Sequence, residues 1–292
     1  MEGTPLDRSG ADVSKLPGAE LNTLRSRLCI HTMTTKPWSL SECVQNYEAA
    51  GIPAITVWRQ VLDAPGIAAL AASSLRVTSL CRGGFFPAVD AAGRQRAIDD
   101  NRQAIDQAAH IGAPLVVLVC GAVPGMPLSE ARRHIADGIA AVVPHARAAG
   151  VKLSIEPLHP QYAADRSAVN TMAQARQICE KVNDPGRTDV GIAVDAYHVW
   201  WDDRLEAELT LAGSKGWIHA FHVCDWKSQQ ADSLNDRGLM GEGCIDLKGM
   251  RRQVEAAGFC GDIEVEIFSQ RYWSTDQKTY LQQILTAYDQ HV

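Results

Sequence analysis

From Arg27 onward, short β-rich apolar runs alternate with longer stretches of helical periodicity, eight times over, and that rhythm leaves few folds open. The runs predict strands at 27–31, 53–58, 76–81, 114–120, 151–156, 189–195, 217–223 and 262–267. Helices are expected near 39–50, 64–73, 93–111, 128–149, 170–182, 203–213, 246–257 and 275–289. Ser39 and Glu42 have the spacing of a capping box that starts the first helix. In GRQRAIDDNRQAIDQAAHIG, Ile98, Ile105, Ala108 and Ala109 keep helical spacing, and Gly112 is placed as a C-cap. No low-complexity stretch or linker interrupts the series. Eight consecutive βα units in one uninterrupted run predict a single (β/α)8 TIM barrel over 26–292. Residues 1–25, polar and mixed in charge, read as an N-terminal extension.

The ends of four of these runs carry the chemistry. VKLSIE closes on Glu156, DVGIAVD on Asp195, WIHAFH on His222 and DIEVE on Glu266, at intervals of 39, 27 and 44 residues. Parallel barrel strands all point one way, so residues at their C-terminal ends converge on one mouth. Each residue alone has a plainer explanation. A carboxylate after an apolar strand is commonly solvated or paired with Arg, an Asp can cap the next turn, and a strand His is commonly packed in a core. Three carboxylates and an imidazole on four successive strand ends instead suit one divalent cation. Glu264 and Glu266 share a strand face. Glu266 is preferred because it lies nearer the C-terminal end, with Glu264 one layer deeper. His219, three residues before His222, is expected on the opposite side of its strand in a structural role.

Composition narrows the rest. A formal charge of −6 over 292 residues argues against a general nucleic-acid or membrane-surface binder. The eight cysteines are scattered without a CxxC pair and read as reduced thiols in a cytoplasmic protein. The first 25 residues lack the apolar core of a signal peptide, and no window reaches the ~18 apolar residues of a membrane span.

SIEPLHP, AVDAYHVWWD, FHVCDW, the RGLMGEG loop and VEIFS together resemble the sugar phosphate isomerase/epimerase superfamily of xylose-isomerase-like TIM barrels. That group includes ketose 3-epimerases, hydroxypyruvate isomerases, inosose isomerases and dehydratases, and the endonuclease IV type of repair enzyme. The likeness covers about residues 27–290. It implies Glu156, Asp195, His222 and Glu266 as metal ligands, with Glu156 and Glu266 doubling as acid and base. It further implies His198 as a substrate-hydroxyl contact and Arg237 as a substrate-oxygen clamp. His159 stands where many relatives have Asn. The loop Asp236–Gly243 contains no His, which speaks against a three-metal phosphodiesterase.

The expected cofactor is one divalent ion per chain, Mn²⁺ first, with Mg²⁺, Co²⁺ or Zn²⁺ compatible. Such a site supports isomerisation or epimerisation of a keto-sugar or polyol through an enediolate, using two carboxylates for proton transfer. The alternative is a lyase or dehydratase acting on a 3-keto-sugar or keto-glycoside, including C- or O-glycoside cleavage. Trp58, Trp200, Trp201, Trp226 and Trp273 fall at or beyond strand ends and suit stacking on sugar faces, or packing of loops on the barrel. With no glycine-rich phosphate cradle, a non-phosphorylated substrate is the expectation. His31, Arg82, His159, Trp200 and Trp226 are further candidates for substrate contact. The partner is a small molecule, and a homo-oligomer is compatible with everything above.

Overall fold

A computed structural model of the chain describes residues 23–292. Eight parallel strands pair in sequence order and close into a barrel. They are β1 (Leu28–His31), β2 (Ala54–Trp58), β3 (Arg76–Gly84), β4 (Leu115–Val119), β5 (Lys152–Ile155), β6 (Val190–Asp195), β7 (Ile218–Val223) and β8 (Ile263–Val265). The surrounding helices are α1 (Leu40–Ala49), α2 (Ala64–Ala72), α3 (Ala91–His110), α4 (Leu128–Ala148) and α5 (Met172–Val182), then α7 (Leu205–Gly213), α8 (Leu247–Ala256) and α10 (Gln277–His291). Two single-turn helices, α6 (Ala196–Val199) and α9 (Gln270–Trp273), follow β6 and β8 directly.

Local chemistry explains the boundaries. Ser39 and Glu42 form the expected capping box on α1. Asp90 caps α3 by accepting from Gly93 N–H, so that helix begins two residues earlier than periodicity alone indicated. Gly112 follows α3 in the left-handed region at φ 73°. The predicted extension lies mostly outside the described residues. Its last residues belong to the barrel, since Leu24 is buried in the core and Arg25 pairs with Asp289 on α10.

The main core lies between strands and helices, where Leu28, Ile30, Ile55, Leu80 and Ile105 are almost fully buried. Inside the barrel, a small cluster of Cys81, Leu115, Val117, Ala193 and Ala220 leaves room above it. Three register shifts interrupt the strand pairing, at β2/β3, β3/β4 and β6/β7, and two of these shape that interior. The β3/β4 register shifts between Cys81 and Gly83, leaving Arg82 as an extra residue, and β3 runs three residues beyond its predicted end. Asn101 on α3 clamps this bulge, accepting from Gly84 N–H (2.6 Å) and donating to Gly84 C=O (2.7 Å). At Gly84, with φ 108°, a Cβ would sit 1.9 Å from the Val119 carbonyl oxygen, so only glycine fits.

The second shift, opposite Ile218–Ala220, makes His219 the extra residue of β7. The simple alternation that put His219 opposite His222 is therefore broken. Its ring packs over Gly191, where an added Cβ would lie 2.5 Å away, and it lines the N-terminal end of the barrel with Cys29, Ala220 and Glu264.

Candidate active site

Glu156 is the first residue after β5, Asp195 the last of β6, His222 the penultimate of β7 and Glu266 the first after β8. Each offers a ligand atom, and these four atoms all lie within 4.8 Å of one another in a fully buried cluster. His222 Nδ1 faces Glu156 Oε1 at 3.0 Å and Glu266 Oε2 at 3.7 Å. Its Nε2 faces Glu264 Oε2, at 3.4 Å. Glu264 thus lies beneath the cluster, where Thr56 donates to it at 2.6 Å.

Burial pushes the Asp195 carboxyl well above the usual carboxylate range and raises Glu156 too, with Glu266 adding to both. Burial opposes the charged form of His222, yet Glu264, Glu156 and Glu266 outweigh it and raise the imidazole well above its ordinary value. The O,O,O,N donor set of the cluster fits a divalent cation. At Glu266, burial is outweighed by Arg237, His31 and His222, which hold the carboxyl down at about 2. Glu264 is pushed up by burial to about 7.

Arg237 explains part of that balance. Its Nη1 lies 3.2 Å from Asp195 Oδ2 and 3.3 Å from Glu266 Oε2, and its guanidinium sits between the rings of Tyr197 (4.5 Å) and Phe268 (4.9 Å). It is buried, and it is the counter-ion of these two carboxylates as well as a residue lining the cavity. His198 is buried beside it, with Nε2 3.2 Å from Arg237 Nη2 and Nδ1 accepting from His159 N–H at 3.2 Å.

His31, Cys81 and Glu266 form a second group of close ligand atoms. Its chemistry suits a metal poorly. His31 Nδ1 accepts from Met33 N–H at 3.0 Å, so in the neutral ring the proton sits on Nε2, 3.6 Å from Glu266 Oε1. Burial also pushes the Cys81 thiol well above its ordinary pKa, away from thiolate. His31 is better placed as a donor towards Glu266.

A cavity of about 230 Å³ opens over the cluster. Glu156, Glu266, Arg237 and His198 line it, together with Trp58, Arg82, Tyr162, Arg166, Phe268 and Trp273. His159, Trp200 and Trp226 are not part of this lining. They form an aromatic group behind His198, with His159 stacked on Trp226 at 4.5 Å and Trp200 5.8 Å from Trp226. Tyr162 and Arg166 escaped sequence reading because they lie in an irregular loop after β5 with no motif of their own.

The loop after β7 roofs one side. Asp225 anchors its base, accepting from the N–H groups of Trp226 (2.8 Å), Gly241 (3.0 Å) and Ile245 (3.0 Å). Asp225 and Gly238 also exchange both backbone hydrogen bonds. At the tip, the Tyr162 and Tyr197 hydroxyls both donate to the Ser233 carbonyl, at 2.6 and 2.8 Å.

The model of the xylose isomerase-like TIM barrel family matches residues 46–288. The chain belongs to that family. Among family relatives, an inosose isomerase of Halalkalibacterium halodurans is 28% identical over 193 residues, 65% of each chain. The chain thus matches just under two thirds of that enzyme's length. The crystal structure of protein SMc04130 from Sinorhizobium meliloti 1021 is 48% identical, with a TM-score of 0.86 over 91% of this chain and 98% of that one. The IolI protein with a bound zinc atom, 23% identical, shares the barrel with a TM-score of 0.76 over 89% and 96%.

Proposed function

We propose that this protein is a divalent-metal-dependent isomerase or epimerase of a hydroxyketone sugar or polyol. The observation that carries the reading is the cluster of Glu156, Asp195, His222 and Glu266, with two glutamates from strands three apart around the barrel facing one cavity. The inosose isomerases among the relatives and the zinc in the IolI structure support it. The four side chains would hold the ion, with His222 contributing Nδ1. Mn²⁺ is the expected ion, and such a cation polarises a substrate carbonyl and acidifies the neighbouring C–H.

This chain's own residues then handle the proton. One glutamate takes it from the carbon next to the carbonyl, breaking the C–H bond. A proton returns from either glutamate, to the opposite face of that carbon for epimerisation or to the neighbouring carbon for isomerisation. No oxidant or co-substrate is consumed. His198 and Arg237, both of which line the cavity, would orient substrate oxygens. His159, Trp200 and Trp226 support His198 from behind in this reading.

The test is turnover in D₂O with Mn²⁺-loaded protein on a panel of ketoses and inososes, with products read by NMR. Deuterium at the reacting carbon is expected. Product that keeps its original hydrogen would point to hydride transfer and overturn the two-carboxylate reading. His222→Ala should lose bound metal by elemental analysis.

A further inference from the structure

Resting on that reading, we infer that the substrate carries an anionic group, a carboxylate or a phosphate, received by Arg82, Arg166 and Lys36 beyond the metal-binding residues. All three side chains line the cavity that covers Glu156 and Glu266. Among the described residues, none has a carboxylate within 4.0 Å, and none makes a hydrogen bond through its charged head. Arg82 is half-buried, so its five N–H donors are withdrawn from much of the solvent without a protein acceptor to replace it.

What the three cations do touch is aromatic. The Arg82 guanidinium lies 4.1 Å from the Phe85 ring centroid and 5.5 Å from that of Trp58. Lys36 Nζ lies 4.4 Å over Trp273, and Arg166 lies 6.0 Å from Tyr162. Trp58 and Trp273, expected from sequence to stack on sugar, are therefore shelves that hold cations. The β3 bulge presents Arg82 to the mouth, and Asn101 with the adjoining glycines fixes that bulge. Holding an unpaired guanidinium this firmly is costly unless something of opposite charge arrives.

The charge count agrees. With a divalent ion bound, Glu156, Asp195 and Glu266 would be balanced by it together with Arg237, and Glu264 faces His222 beneath the cluster, so none of the four calls on the outer cations. Two acids influence them from a distance and are engaged elsewhere. Asp100 pairs with Arg59 at 2.8 Å, and Asp232 accepts from Leu234 N–H (2.8 Å) and Asn235 (2.9 Å). A neutral sugar would leave Arg82 and Arg166 repelling each other. A carboxylate or phosphate would satisfy both, and the guanidinium fork matches either. A carboxylate would agree with the expectation of a substrate without phosphate that rested on the missing glycine-rich loop, and a phosphate would depart from it.

The experiment compares D-fructose, 5-keto-D-gluconate and D-fructose 6-phosphate by calorimetric titration of Mn²⁺-loaded protein. At least one anionic ligand should bind ten or more times tighter than D-fructose, and whichever does so identifies the group. In an Arg82→Gln/Arg166→Gln double variant, that ratio should fall to within threefold, with metal content and circular dichroism reporting its integrity. A wild-type ratio below threefold, or a double variant that keeps the wild-type ratio, overturns the inference. Deuterium incorporation without anion preference sinks this inference alone. Anion preference without deuterium incorporation into any substrate sinks the isomerase reading and leaves the anion site standing.

Discussion

Arg237→Met removes the guanidinium that touches both Asp195 and Glu266, and its cost can be worked from the site. Glu266 is held at about 2 against an ordinary 4.5, a difference worth about 3 kcal/mol. Burial opposes that depression, and Arg237 is the largest of the groups that produce it, ahead of His31, His222 and Asp195. Removing one partner of a buried ion pair costs about 3–5 kcal/mol by a separate line of reasoning. Both point to roughly 3 kcal/mol lost at neutral pH, measured by urea unfolding of EDTA-treated protein. The sign with pH follows from the depressed carboxyl. Its stabilisation is present above 4.5 and disappears as pH falls through about 2, so the gap between wild type and variant should be full at neutral pH and close as pH falls through that window. Arg237→Lys keeps the charge without the fork and should recover about half of the loss. A loss below 1 kcal/mol in Arg237→Met, with an unchanged acid transition, would show that Arg237 is not the internal counter-ion described above.

Two further outcomes test the frame around the site. Asp189, bonded by Arg187 and Arg147, is pulled from 3.8 to about 2, so its contribution is present above pH 3.8 and lost as pH falls through about 2. With both guanidiniums nearly half exposed, Asp189→Asn should cost about 1 kcal/mol at pH 7 and converge with wild type near pH 2 in urea titrations. Gly84→Ala should destabilise by about 3 kcal/mol or more, because it meets both a forbidden φ and the Val119 carbonyl. A thermal midpoint within 2 °C of wild type would refute that reading of the bulge.

The barrel was legible because alternation and helical periodicity are local properties, and each predicted strand overlaps an observed one. The four-residue cluster was legible for a related reason, since a strand's last inward side chain is fixed by its direction and its pleat. Glu264 and Glu266 share one face of that pleat, Glu266 was preferred for lying nearer the C-terminal end, and the structure puts Glu264 under His222. What failed depended on register. A bulge adds one residue without any change in composition, so the turn of His219 could not be read from spacing, and Arg82 was read at the mouth without the bulge that presents it. The aromatic residues failed differently. A Trp at a strand end looks the same whether its face meets a sugar, an arginine or another ring, and only neighbours distant in sequence decide between them. Arg237 read only as a substrate clamp because nothing in the chain reveals that it also meets Asp195 and Glu266.

The loop after β7 combines a fixed base with a tip free to vary. Asp225 secures the base through three backbone N–H groups and a reciprocal pair with Gly238, while Leu234 and Asn235 at the tip line the cavity. The tip itself rests on two tyrosine hydroxyls that meet a backbone carbonyl, a contact indifferent to which side chain stands at position 233. Selection can therefore rewrite the stretch between Lys227 and Asp236 without dislodging His222 a few residues upstream. New substrates become reachable by exchanging a few roof residues over an unchanged reaction centre, which makes this segment the natural hinge point for divergence within the lineage and the first place to randomise in directed evolution.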